Sequence, residues 1–257
     1  SRRIDPQLLA LNEQSYLNGH TPFSAYLAFL TTTMSVILDV SDIAVSNESS
    51  ANECNTTFHG HEINHQYSKS EAFETAFRQY SSEFLSTESN YYSMLRPLNE
   101  LQIGKLFSQY DHYFSAFRSC NRGQKQDIWC HKCSKCLFSY TMLFPFVDTT
   151  TLTSEIFSHD LYQDESLVDT ALDLTDPNRV KPLDCVGTYA ESQAAFALAI
   201  EHADTPLPPV LAAVDAVLLS AVSDRRQLIE DTLQDWDHQH HVDAILTEHL
   251  QQKLSAS

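Results

Sequence analysis

Apolar positions return at helical spacing over much of the chain. Phe23, Tyr26, Leu27, Leu30 and Met34 predict a helix with Pro22 in its first turn and Thr21 as N-cap. Asp42-Ile43-Ala44-Val45 then reads as a short buried strand, which runs into the polar loop Ser46–Glu53. Ser70 is placed to cap a second helix from Glu71 to about Leu85. Phe73, Phe77, Tyr80 and Phe84, at steps of four, three and four, form its expected buried stripe. Arg96-Pro97-Leu98 reads as a break. The next helix starts near Asn99 and carries Leu101, Ile103, Leu106, Phe107 and Tyr110. The last third predicts four helices, at about 191–202, 209–222, 225–236 and 241–254, and Pro206, Pro208 and Pro209 punctuate the first two. A helix, a strand and a polar loop in that order predict an α/β layer with a parallel sheet, followed by a mainly helical C-terminal region. In open parallel sheets ligands sit beyond the carboxyl ends of strands, so the loop after Val45 is a candidate site.

The chain has 257 residues, 42% of them hydrophobic and only 5 of them Gly, which fits a globular chain and excludes a fibrous one. The stretch from Pro22 to Val45 is interrupted by Thr31, Thr32, Thr33, Asp39, Ser41 and Asp42 and should not span a bilayer. Residues 1–11 hold two arginines but no apolar run after them, so no secretory signal is recognised. A cytoplasmic protein without a membrane partner is the expectation. The net charge of −18 argues against a nucleic-acid partner, because phosphate binding needs a basic face. Residues 1–147 carry 11 basic and 14 acidic residues, and residues 148–257 carry 5 and 20. That asymmetry suggests two regions: an α/β catalytic portion at 1–147 and an acidic, mainly helical one at 148–257.

Cys120, Cys130, Cys133 and Cys136 form a C-x9-C-x2-C-x2-C array. Two overlapping CxxC pairs let several sulfurs converge on one ion, and zinc favours four thiolates in a closed, structural tetrahedron. Arg118, Arg122, Lys125, Lys132 and Lys135 crowd the same segment, where cations would favour thiolates. His131 could replace one cysteine, while Cys54 and Cys185 stand apart. Disulfides, redox chemistry and free thiols are the competing readings; disulfides are disfavoured in a cytosolic chain, and a redox CxxC would need only two of the four cysteines.

The polar loops carry the remaining candidates. Ser46–Glu53 offers Asn47, Glu48, Asn52 and Glu53, short-reach donors and acceptors and two carboxylates that could hold Mg2+ or a proton. Ser68, Lys69 and Ser70 precede a helix, where backbone N–H groups, the helix dipole and a lysine would suit an anion. An ordinary N-cap in a surface loop fits the same residues. His59, His61 and His65 could be metal ligands or exposed histidines, and His20 lies in a turn that could reach a ligand. Lys181–Thr188, with Cys185 inside it, leads into a helix.

These stretches carry a family resemblance. Asn18–Pro22, SNESSANE at Ser46–Glu53, NHQYSKS at Asn64–Ser70, the four cysteines and Lys181–Thr188 resemble the C-terminal portion of the MurL-type UDP-N-acetylmuramoyl-L-alanyl-L-glutamate epimerases. Arg96–Cys136 is also similar to the later part of 7-cyano-7-deazaguanine synthase, an enzyme of the ATP-pyrophosphatase (PP-loop) superfamily. The resemblance implies a HUP/PP-loop-like parallel sheet with a zinc-bearing segment. No SGGxDS-like phosphate loop follows a first strand, so a C-terminal piece of such an enzyme is expected. The implied substrates are ATP and a UDP-MurNAc-dipeptide, with Mg2+ and Zn2+ as cofactors. ATP would adenylate the terminal glutamate carboxylate, releasing pyrophosphate. A base would then remove the acidified α-proton, an acid would return it on the other face, and water would release AMP. On that implication Lys69, Glu48, Cys185 and His65 are catalytic candidates. Asn47, Asn52, Glu53, Ser68, Ser70 and His20 are binding candidates. Another PP-loop ligase and a non-catalytic zinc module are the alternatives.

Overall fold

The computed structural model describes residues 5–14, 22–54, 56–182 and 184–256. His20 and Thr21 lie outside them. The fold is mixed α/β, mostly helical, with a small parallel sheet. After α1 (Pro6–Glu13) and α2 (Phe23–Leu38), strand β1 (Asp42–Val45) appears at the expected residues. A hairpin of β2 (Thr56–Phe58) and β3 (His61–Ile63) follows, then α3 (Glu71–Phe84) and β4 (Asn90–Ser93). β1 and β4 pair in parallel, Ile43 opposite Tyr91 and Val45 opposite Ser93, with α3 in the connection between them. Parallel pairing requires such a crossover.

The polar side chains set the helix ends. The Ser70 hydroxyl accepts from Phe73 N at 3.2 Å and starts α3 where the sequence predicts. Asn99 and Gln102 form a capping box at α4 (Glu100–Phe107). Helix α5 (Ser134–Leu143) follows the cysteine segment, and α6 (Thr149–Thr151) leads into a wider helical turn at Leu152–Ile156. Then come α7 (Val168–Thr175), α8 (Tyr189–His202), α9 (Pro209–Ala221), α10 (Arg225–Gln234) and α11 (Ala244–Ala256). The last four agree with the sequence expectation within a few residues. Helix α8 is capped by its own box, Thr188 with Glu191.

Two apolar clusters form. The large one runs from Leu101 to Ile229 and draws on α4, α5, α7, α8, α9 and α10. The smaller joins Ala28, Ile43, Phe77 and Tyr91, with Val45 and Phe73 packed on it. The small cluster corrects three expectations. Of the α3 stripe only Phe77 is buried; Tyr80 and Phe84 face solvent. Only Ile43 of β1 is buried, because the two-stranded sheet leaves the rest of the strand uncovered. Helix α2 packs through its small residues Ala28, Thr32 and Ser35, and Phe23, Tyr26, Leu30 and Met34 point outward. Small side chains permit the close approach to β1 and let Ser35 Oγ meet Ser89 Oγ at 2.8 Å.

Between the clusters lies a buried ion pair, Arg96 with Glu74 at 3.2 Å, both side chains no more than 1% exposed. Arg96 Nη1 also donates to Glu48 O at 2.7 Å, and Nη2 to Lys69 O at 2.5 Å. Glu74 Oε1 accepts from Ser93 N at 3.0 Å. Removing one partner strands a charge, which costs about 3–5 kcal/mol. Arg96→Leu should therefore lower the urea midpoint by a corresponding amount. An unchanged midpoint would show that the pair does not hold the loops.

Candidate functional site

The site is assembled from the loop after β1, the segment before α3, the start of α4, the first turn of α5 and the loop before α8. Arg96 fixes the first two by their carbonyls. Asn47 O accepts from Ser93 Oγ at 2.6 Å. Asn52 Oδ1 accepts from Glu71 N at 2.8 Å, so Asn52 and Ser70 cap α3 together. The N-terminus read as an anion site is thus largely satisfied by the chain itself. The capping reading of Ser70 holds, and the polar loop serves as the second cap.

Lys69 instead turns toward the loop before α8. Its Nζ donates to Gln66 Oε1 and to Cys185 Sγ, each at 3.3 Å. Two catalytic candidates lying 116 residues apart therefore meet. Lys135 Nζ donates to the Cys185 carbonyl. Glu53 pairs with Lys181, which also donates to Gly187 O. Gly187 has φ +30, and a Cβ there would lie 2.8 Å from both Glu191 Oε2 and Phe138 Cζ. Only glycine lets this loop approach α8 and α5 so closely.

Three carboxylates gather beside these lysines. Glu191, buried, accepts from Glu100 N at 2.9 Å and from Thr188 N. Its carboxylate thus joins the N-termini of α4 and α8. Burial raises its pKa, and Glu48 adds to the effect. Glu100 is pushed up to about 8, first by burial and then by Glu48; Glu191 raises it further, and Lys135 and Lys69 oppose. Its side chain is half-buried and opens onto a cavity of about 360 Å3 between α4 and α5. Ser46, Lys135 and Ser119 supply the other polar lining, against Phe107, Phe138 and Met142. Gly104 lets α5 close over α4, since a Cβ there would meet Met142 O at 2.5 Å. A larger cavity of about 760 Å3 is lined by Asn52, Glu53, Glu191, Asp231, Trp236 and His238, among others.

Other candidates take lesser places. Ser68 and His65 are half-buried in the stretch from β3 to α3, and His59 and His61 are exposed around the hairpin. Glu100, Lys135, Glu191 and Arg96 were missed. Glu100 reads in sequence as an acidic first-turn residue, Glu191 as a capping-box partner, and Arg96 as part of a break. Lys135 had been assigned to the cysteines.

The cysteine segment forms a candidate metal centre. The sulfurs of Cys120, Cys130, Cys133 and Cys136 all lie within 4.8 Å of one another. Cys120–Cys133 is 4.0 Å, Cys130–Cys136 3.7 Å and Cys133–Cys136 3.4 Å. A tetrahedron with bonds of about 2.3 Å has edges near 3.8 Å, so the four could hold a metal ion. Gly123 N and Cys130 N donate to Cys120 Sγ at 3.1 and 3.3 Å. Hydrogen bonding from Cys136 lowers Cys133 to about 5, and the same contact with burial pushes Cys136 up. Backbone amides take part in this role, which the sequence analysis assigns to neighbouring cations. Lys132 pairs with Asp164, Arg118 donates to Phe117 O and Asp127 O, and Lys135 faces Cys185. His131 is outside the cluster, its ring 4.7 Å from that of His159 and tilted by 51° to it. Cys54 lies apart, with its sulfur on Glu62.

The MurL N-terminal domain model matches residues 1–94 and the MurL C-terminal domain model residues 116–229. Three relatives are each named UDP-N-acetyl-alpha-D-muramoyl-L-alanyl-L-glutamate epimerase. That of Micromonospora sp. is 37% identical over 221 residues, 84% of this chain and 49% of the relative. That of Salinispora tropica is 36% identical over 84% of the chain and 48% of the relative. That of Xanthomonas oryzae pv. oryzae is 35% identical over 79% and 46%. The chain therefore spans about half the length of the curated relatives it matches. No solved structure matches it.

Replacing Cys133 by Ser should abolish metal binding and lower the melting temperature, and a chelator should do the same to the parent protein. Metal content and thermal melting measured side by side check this. Unchanged values in the variant would remove the cluster from the fold's support.

Proposed function

We propose a function from one premise: the chain belongs to the MurL family. The protein inverts the terminal L-glutamate of UDP-MurNAc-L-Ala-L-Glu in an ATP-dependent epimerisation, within peptidoglycan precursor synthesis. The observation that carries the reading is the meeting of Lys69 with Cys185 beside Glu48 and Glu100, in a chain whose relatives bear the epimerase name. Inversion at a carbon next to a carboxylate is hard, because a second negative charge would develop beside the first. Adenylation removes that first charge, with ATP and Mg2+ as the expected co-substrate and ion. A cation held at the reacting carboxyl then stabilises the enolate that forms. Lys69 is fixed by Gln66 and by the Arg96 contact to its own carbonyl, and it supplies such a cation.

Cys185 is the proton carrier on one side. Its sulfur accepts a hydrogen bond from the Lys69 ammonium at 3.3 Å, which holds the side chain beside the reacting carboxyl in this reading. Glu48 adds negative charge that favours neutral forms of the carboxyls nearby. Asn47 and Ser68 border the site and are read as nucleotide or substrate contacts, with His65 beside them. Asn52 and Ser70 act by fixing the start of α3 and hence Lys69. The β1–β4 pair is read as part of a PP-loop-type sheet. The cysteine centre is read as zinc, whose four thiolates would leave no open position and so serve structure. The acidic surface disfavours nucleic acid, and among the described residues no helix is long and apolar enough to cross a membrane. A cytoplasmic enzyme fits a precursor-synthesis role.

The reading is tested in the full-length protein with ATP, Mg2+ and the UDP-muramoyl dipeptide. The expected result is dipeptide-dependent release of AMP and pyrophosphate, together with inversion seen by chiral analysis of the glutamate. An unchanged stereocentre, with no preference for the dipeptide over free glutamate, would refute it. Lys69→Ala should cut turnover by at least about 100-fold, the range of a single lost charge-stabilising group, without lowering the melting temperature. A normal rate would remove Lys69 from the chemistry.

A further inference from the structure

Inversion needs proton delivery to the face opposite the one from which the proton left. The reading above places one carrier, Cys185, and leaves the other face without one. Of the three gathered carboxylates, Glu100 alone lines the cavity between α4 and α5. Glu191 has both oxygens on backbone N–H groups, of Glu100 and Thr188, which fixes it as a capping anion. Glu48 acts at a distance on both neighbours. The Glu100 carboxyl has no hydrogen-bond partner among the described residues, and it lines the cavity between α4 and α5. Lys135 lines the same cavity and donates to the Cys185 carbonyl. Glu100 and the Lys69–Cys185 pair therefore belong to one cluster, approached from different elements.

We propose that Glu100 is the second proton carrier of the epimerisation, acting from the α4–α5 cavity on the face of the substrate carbon opposite Cys185. This rests on the epimerase reading. In the forward direction the Cys185 thiolate takes the α-proton, and the C–H electron pair moves to the adenylated carbonyl as an enolate. Protonated Glu100 then gives its proton to the other face. Cys185 is left as thiol and Glu100 as carboxylate, and proton exchange with water resets both. In reverse the roles exchange. The environment suits this duty. Burial, Glu48 and Glu191 oppose ionisation of Glu100 while Lys135 and Lys69 favour it, so both of its forms are populated near neutral pH.

The test follows α-proton exchange in D2O, using the full-length protein, ATP and each epimer of the dipeptide. The parent protein should wash deuterium into both epimers. Glu100→Gln should lose at least about 100-fold in epimerisation, as expected for removal of a general acid–base group. It should keep dipeptide-dependent pyrophosphate release and exchange from one epimer only, and Cys185→Ser should keep exchange from the other. Normal epimerisation by Glu100→Gln, or parallel loss of pyrophosphate release and of both exchanges, would overturn the role of Glu100. If the parent protein itself neither releases pyrophosphate with the dipeptide nor exchanges its α-proton, the epimerase reading falls and the inference with it. A second measurement is independent of turnover. A carboxyl whose folded pKa lies above its unfolded one weakens the fold as pH rises between the two, here from about 4.5 to about 8. The parent protein should lose more thermal stability than Glu100→Gln between pH 5 and pH 9, and equal losses would count against the inference.

Discussion

The arrangement depends on one guanidinium with no access to water. Arg96 leaves β4 and is met by Glu74 from α3, by the carbonyl of Glu48 after β1 and by the carbonyl of Lys69 before α3. An arginine fork can satisfy several acceptors in one plane, which lysine could not do. Burying both charges has a large desolvation cost, offset here because Glu74 also accepts from Ser93 N. The result is geometric. Two polar loops are tied together through their backbone carbonyls, so the side chains of Glu48 and Lys69 start from positions set by one residue. The pair therefore acts on the site without touching it.

The cysteine cluster performs a similar task from the other side. Cys133 and Cys136 flank Lys135 at the start of α5, so a metal held by the four sulfurs would also fix where that lysine emerges. The same turn is tied to the loop before α8, because Ser134 and Asn121 both donate to Asp184. Asp184 precedes Cys185, and Lys135 donates to the carbonyl of Cys185. A metal held by the four sulfurs would thereby be linked to the Cys185 thiol by a short run of hydrogen bonds. Loss of the metal is expected to blur the position of Cys185 as well as loosen the fold.

The sequence revealed what local chemistry decides. The Ser70 cap, the β1 span, the helices of the last third and the convergence of four cysteines all follow from rules acting within a few residues. It failed where the outcome depends on what lies across the gap. The apolar stripe of α2 has the right period, but small residues win the contact with β1, so Phe23 and Met34 face outward. The part Asn52 plays as a cap of α3 was hidden, because nothing local reveals that Glu71 N lies opposite it. Lys135 looked like a partner of the neighbouring sulfurs because proximity in sequence suggested it. Lys69 stands out by its own chemistry before a helix, whereas Cys185 is singled out only by the family resemblance, which is also the only reason to link the two. Arg96 and Glu100 had no local signal at all, since an arginine before proline and a glutamate in a first turn are ordinary.

The gathering of Glu48, Glu100 and Glu191 raises the question of why three carboxylates are tolerated together. Two helix N-termini converge there, at Glu100 and at Tyr189, and each presents unpaired N–H groups and a positive dipole end. Glu191 accepts from a backbone N–H at each and is thereby fixed in place, while burial works against its charge. Its neighbour cannot draw on the same donors. Glu100 is then left in the field of two carboxylates and two lysines, with an open cavity in front of it and no hydrogen bond to settle its proton. Burial and the two carboxylates outweigh the lysines, so the fold favours a proton on Glu100, and the open cavity leaves that proton within reach of a ligand.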